Sequence, residues 1–167
     1  MRTRRAGLLP AGLHCLTYRG SEVLRSGGHP VHLPEVQTRS LRPGRILVID
    51  DEASVRDLLL RVLSNAGHEV DAVETGEAAL MKLAKQPFDL LVVDKNLPGM
   101  SGLDVLRLVR THYPRLRAIL ITAFPSPAAE TEAKALGVHG YVTKPFGIIT
   151  IVSAVDAAIE AGRSGLP

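Results

Sequence analysis

Tryptophan is absent from the 167 residues, and cysteine occurs once, as Cys15. A single thiol excludes an intrachain disulfide and fits a reducing compartment, so a cytoplasmic location is expected. No apolar run approaches the roughly 18 residues that a membrane-spanning helix needs. The stretch AGLLPAGL near the N-terminus is short, is broken by Pro10 and Gly12, and lacks a convincing signal-cleavage site. A Gly-rich turn is also missing after the run RILVI, where Asp50-Asp51-Glu52-Ala53 follows instead. That excludes a dinucleotide-binding enzyme, whose pyrophosphate needs glycines at that turn. What is present is an apolar fraction of 46%, enough for one core of ordinary size.

The formal charge of +3 conceals a division of the chain. Residues 1–43 carry seven arginines against Glu22 and Glu35, whereas 44–167 carry 13 basic and 15 acidic residues. The segment 1–43 shows no sustained period of 2 or 3.6 and is interrupted by Gly20, Gly27, Gly28, Pro30, Pro34 and Pro43. It is expected to be a disordered basic tail. His14, His29 and His32 lie within it at spacings that match no metal-ligand pattern. A nucleic-acid role would have to rest on this segment alone, through salt-sensitive phosphate contacts, and is not expected.

From residue 44 to 162 the pattern is that of one domain, leaving 163–167 as a short C-terminal tail. Apolar runs at 45–50, 69–73, 90–93, 118–122 and 140–143 read as strands. Between them, Val55, Leu58, Leu59, Val62, Leu63 and Ala66 recur at helical spacing, and Gly67 ends that helix. Further helices are predicted at 76–86, from the capping pair Ser101 and Asp104 to about 111, and at 127–136, stopped by Gly137. A last one carries Ile148, Ile151, Val152, Val155, Ala158 and Ile159. Strands alternating with helices, and apolar on both faces, imply a doubly wound α/β fold around a five-stranded parallel sheet.

Polar residues cluster at the ends of these strands. Asp50 and Asp51 end the first, Asp94 the third and Thr122 the fourth, while Lys144 directly follows the fifth. In an open α/β sheet ligands gather at that edge. Taken singly, each residue has a plain explanation: Asp50 or Asp51 could cap a helix, and Lys144 could be a surface lysine. Together, three carboxylates on one edge repel unless a cation joins them, and oxygen donors suit Mg²⁺ or Mn²⁺. A lysine and a hydroxyl beside such a cation suit a phosphoryl group.

The motifs ILVIDDE, LLVVDKNLPGMSG, ILITA and YVTKPF, in this order and spacing, resemble the receiver domain of bacterial two-component response regulators. The resemblance covers about 44–162 and implies a flavodoxin-like (βα)5 fold with strand order 2-1-3-4-5. It implies that Asp94 is the phosphoacceptor, and that Asp51, Asp94 and the backbone carbonyl of Asn96 bind Mg²⁺, with Asp50 acting mainly through a bound water. Thr122 would contact the phosphoryl oxygens, Lys144 would pair with the carboxylate or phosphoryl group, Tyr141 would be the aromatic switch, and Lys144-Pro145 would be cis. Two departures stand out. Lys95 places a cation beside the acceptor, and Pro125 and Pro127 stiffen the stretch where relatives carry a Gly-Asp-like turn.

A signalling phosphoacceptor is therefore expected rather than an enzyme acting on a separate substrate, though one with its own phosphorylation and dephosphorylation chemistry. Its donor would be a sensor histidine kinase or a histidine phosphotransfer protein. Few residues follow the last helix, so a stand-alone regulator is expected, signalling to a partner protein through the face of helix 4, strand 5 and helix 5. The alternative is the regulatory receiver fragment of a larger regulator, with DNA-binding or enzymatic output on another chain. An aspartate-nucleophile phosphatase of the haloacid dehalogenase type shares the residue types but not their order, since its D-x-D nucleophile comes first and its acidic pair last.

Overall fold

The computed structural model describes residues 15–21, 33–39 and 43–164. Two strands, β1 (Cys15–Ser21) and β2 (Leu33–Arg39), pair antiparallel, with Cys15 opposite Arg39 and Ser21 opposite Leu33. The sequence pattern predicts no strand here, because Gly20 and Pro34 interrupt it and neither stretch alternates cleanly. The rest of 1–42 and residues 165–167 lie outside the described residues.

The domain itself is built from β3 (Arg45–Ile49), α1 (Ala53–Asn65), β4 (Glu69–Val73), α2 (Gly76–Leu83), β5 (Leu90–Asp94), α3 (Gly102–His112), β6 (Arg117–Thr122), α4 (Pro127–Ala135), β7 (Gly140–Thr143) and α5 (Ile148–Ser164). The five strands are parallel in the order β4-β3-β5-β6-β7, which is 2-1-3-4-5 counted within the domain. Side chains alternate across a strand, and the strands exploit both faces. Ile46, Val48, Leu90, Val92, Ile119 and Ile121 meet α1 and α5, while Leu47, Ile49, Leu91, Val93 and Leu120 meet α2, α3 and α4. Each fully buried Leu or Ile contributes about 1.5–3 kcal/mol through removal from water.

Local signals account for the helix ends. Thr75 and Ser126 accept hydrogen bonds from the backbone of Ala78 and Ala129, and Ser101 and Asp104 complete a capping box. Gly67, Gly99 and Gly137 adopt positive φ at the turns that need it. The second helix stops at Leu83 rather than 86, since Pro87 disfavours helical geometry in the residue before it. Leu58 and Ile148, expected to face inward, are 43% and 56% exposed. Ile148 lies in the first turn of α5, ahead of Ile151, the first residue of that helix to be buried.

Helix α4 is held most lightly by apolar burial. Only Ala129 and Ala133 are buried along it, so polar ties to α3 assume much of the work. Arg107 pairs with Glu132, and the Arg110 guanidinium donates to the carbonyls of Leu136 (2.6 Å), Gly137 (2.8 Å) and Leu116 (2.5 Å). Its C-terminal end is thus anchored, while its N-terminal end adjoins the loop that follows Thr122. Among the described residues no helix is long and apolar enough to cross a membrane.

Candidate functional site

The C-terminal tips of β3, β5, β6 and β7 lie side by side because the strand order makes them neighbours. Main-chain hydrogen bonds extend the ladder to these tips. Asp50 N–H donates to Val73 O (3.2 Å), Lys95 N–H to Ile121 O (2.9 Å) and Lys144 N–H to Thr122 O (2.8 Å). Asp50, Asp94 and Thr122 are buried, at 0%, 3% and 0% exposure. The Lys144 ammonium lies between the two acids, 2.7 Å from Asp50 Oδ2 and 2.8 Å from Asp94 Oδ1. Lys144-Pro145 is cis.

The remaining acid oxygens also have donors. Asp50 Oδ1 accepts from Glu52 N–H at 3.0 Å, and Asp94 Oδ2 accepts from Asn96 N–H at 2.5 Å. The N-cap of α1 is Glu52, without a side-chain cap, so neither Asp50 nor Asp51 serves as a helix cap. Burial pushes the Asp50 carboxyl above its ordinary range, and the Lys144 and Glu52 hydrogen bonds only partly oppose it. Burial also works against the Lys144 ammonium, but its hydrogen bonds to Asp50 and Asp94 prevail and hold its pKa above lysine's usual value. The two partners thus differ. The lysine is stabilised as an ion, whereas Asp50 carries a desolvation cost that a further cation would relieve.

Not every expected residue joins this cluster. Asp51 is exposed, since successive residues leaving a strand point to opposite sides. Among the described residues no group of three His, Cys, Asp or Glu side chains is gathered closely enough to hold a metal. The donor set is nonetheless all oxygen, and two buried carboxylates outnumber the one ammonium between them. The chemistry therefore fits a hard divalent cation.

Thr122 accepts a hydrogen bond from Phe124 N–H at 3.1 Å. The Tyr141 ring packs half-buried on the α3 side of the sheet, and its hydroxyl is buried with no hydrogen-bond partner among the described residues. Two contributors escaped the sequence reading. Arg56 donates to the Asp50 carbonyl at 2.6 Å, and Gly102 lies so close to β5 that an added Cβ would collide with the Asp94 carbonyl oxygen. The only sequence sign of the second was a glycine just after the capping serine. An open groove of about 680 Å³, lined by Lys85, Phe88, Tyr113, Arg115 and Arg117, lies at the opposite, N-terminal edge of the strands.

This arrangement has clear parallels among known proteins. Residues 46–156 match the profile of the response regulator receiver domain. The response regulator protein FleR of Pseudomonas aeruginosa is 40% identical over 102 residues, which cover 61% of this chain and 22% of FleR. Chemotaxis protein CheY-3 of Vibrio cholerae is 34% identical over 119 residues, 70% of this chain and 92% of CheY-3. The structure of Vibrio cholerae chemotaxis protein CheY4 superposes with a TM-score of 0.67 at 31% identity, over 70% of this chain and 99% of that one. Several curated relatives are longer, and the chain spans between 22% and 52% of them. A profile match across most of the sheet, a shared fold, and buried acids bridged by lysine at the strand tips all agree: the chain belongs to the response regulator receiver domain family.

Proposed function

We propose that this protein is a single-domain response regulator that accepts one phosphoryl group on Asp94 from a phosphohistidine of a sensor histidine kinase or phosphotransfer protein. The observation that carries this reading is the Lys144 ammonium within 2.7 and 2.8 Å of two buried carboxylates. An Asp94 oxygen attacks phosphorus, the bond from phosphorus to the donor nitrogen breaks, and the electron pair leaves with that nitrogen. Lys144 steadies the carboxylate before the reaction and a phosphoryl oxygen after it. Asp50, Asp51, Asp94 and the Asn96 carbonyl would hold Mg²⁺, or Mn²⁺ in its place. The bound ion supplies charge neutralisation and orientation of the phosphoryl oxygens.

Output then follows from a shift between two conformations. A phosphoryl group on Asp94 draws the Thr122 hydroxyl away from Phe124 N–H, because a charge-assisted hydrogen bond is worth roughly 1.5–3 kcal/mol. Space opens beside β6, and the Tyr141 ring moves. Its buried hydroxyl has no partner among the described residues, a condition that costs about 1–3 kcal/mol and favours any position supplying one. Helix α4, lightly packed, responds, and a partner protein reads the face formed by α4, β7 and α5.

A second reading is favoured by the greater length of several relatives: a regulatory receiver whose DNA-binding or enzymatic output lies on another chain. Full-length transcript mapping separates the two. The switch is tested by amide spectra with Mg²⁺ and beryllofluoride, an aspartyl-phosphate mimic. Signals from about 123–147 should shift while α1 away from Asp51 stays nearly still. Shifts confined to the immediate neighbours of Asp94 would overturn the output assignment.

A further inference from the structure

We propose that Lys95 is a positioning residue that holds Thr122 at rest by pinning Phe124, and that it loosens this grip when Asp94 becomes phosphorylated. The proposal builds on the reading of Asp94 as the acceptor.

Lys95 follows Asp94 directly, and its main chain is fixed to β6 through Ile121 O. Its half-buried side chain crosses to the β6–α4 loop, where Nζ donates to the Phe124 carbonyl at 3.4 Å. The Phe124 N–H donates to Thr122 Oγ1 at 3.1 Å. One residue is therefore held at both ends of its main chain, by the threonine on one side and the lysine on the other. Packing adds little to this hold, since Phe124 is 71% exposed. Pro125 follows, and a proline restricts the residue before it, so displacing the Phe124 carbonyl displaces the loop into α4.

The electrostatics favour release on phosphorylation. Lys95 forms no ion pair with an acidic side chain among the described residues, and its contact with Phe124 O is long and therefore weak. A phosphoryl dianion on the neighbouring residue competes for the ammonium with far greater charge than a neutral carbonyl. When Lys95 turns toward it, Phe124 loses one of its two ties as Thr122 withdraws the other. The same event removes both.

Lys95→Met should then raise the ratio of released to resting loop about twofold in the unphosphorylated chain, the effect of losing a hydrogen bond at the weak end of the usual range. The test compares amide spectra of the full chain as parent, as parent with Mg²⁺ and beryllofluoride, and as unphosphorylated Lys95→Met and Lys95→Arg. Signals of Ala123, Phe124 and α4 in Lys95→Met should move along the line joining the two parent spectra. Lys95→Arg, which retains a donor, should stay near the resting parent. Met shifts that stop at 94–97 or leave that line overturn the latch, as does identical behaviour of Met and Arg. A parent spectrum indifferent to beryllofluoride overturns the reading of Asp94 itself, and the latch with it. A responsive parent with off-line Met shifts overturns the latch alone.

Discussion

Replacing Lys144 with methionine removes a cation that touches two buried carboxylates while nearly preserving side-chain length. The Lys144 side chain is 16% exposed, and those of Asp50 and Asp94 are 0% and 5% exposed, so solvent screens this cluster poorly. Breaking a buried pair from one side costs about 3–5 kcal/mol. With Lys144 partly reached by water, about 3 kcal/mol is expected at neutral pH, or roughly 10 °C in the unfolding midpoint of a domain this size. The pH dependence follows from the two shifts. Lys144 titrates above its ordinary value, so its stabilisation is complete below that range and is lost only as the pH rises through it. Asp50 is raised by burial, so the folded chain already holds its proton more tightly than the unfolded chain, and stability falls as pH rises through that interval. Without Lys144 the interval widens. The deficit of the variant should therefore be largest near neutrality, shrink toward pH 4, and be partly recovered by millimolar Mg²⁺. Thermal unfolding followed by circular dichroism, parent against variant across that range, measures it. Equal midpoints at pH 7, or a deficit that does not change with pH, would refute the charge argument.

Thr122→Ala should still accept phosphate while the amide shifts across 123–147 shrink, because the hydroxyl that relays the charge is gone; unchanged remote shifts would contradict the relay. Gly102→Ala should destabilise the chain by about 1–3 kcal/mol from overpacking against the Asp94 carbonyl, outweighing the helix propensity gain of about 1 kcal/mol, and should slow phosphate uptake; a more stable variant would contradict the crowding. A chain shortened to begin at Arg42 should keep its cooperative unfolding. A drop in its midpoint beyond the few degrees that about 1 kcal/mol produces would show that the removed segment packs on the domain.

The parallel sheet was legible because each central strand is buried on both faces and so reads as an unbroken apolar run, as in ILVI and LLVV. Strand order was not legible from pattern, since nothing in the runs says which are neighbours; it came with the family resemblance. The site followed from the strand tips, where Asp50, Asp94 and Thr122 are polar residues at the ends of buried runs. Contacts set by how the chain folds back on itself left no mark in the sequence. The Arg56 bond to the Asp50 carbonyl and the approach of Gly102 to β5 join residues close in the chain, and the reach of Lys95 to Phe124 O joins distant ones, but no local pattern announces any of them. Asp51 shows the limit of adjacency: it neighbours Asp50 in the chain but lies exposed. The strands β1 and β2 were missed because their residues do not alternate and are broken by glycine and proline.

The central claim is that Asp94 accepts a phosphoryl group at a site whose carboxylates would hold a divalent cation. Intact mass after incubation with acetyl phosphate tests it most directly, with the parent chain and Asp94→Asn compared in Mg²⁺ and in a chelator. The account predicts a gain of one phosphoryl group in the parent with Mg²⁺, and no gain in the chelator or in Asp94→Asn. Phosphate uptake by Asp94→Asn as fast as by the parent would contradict it.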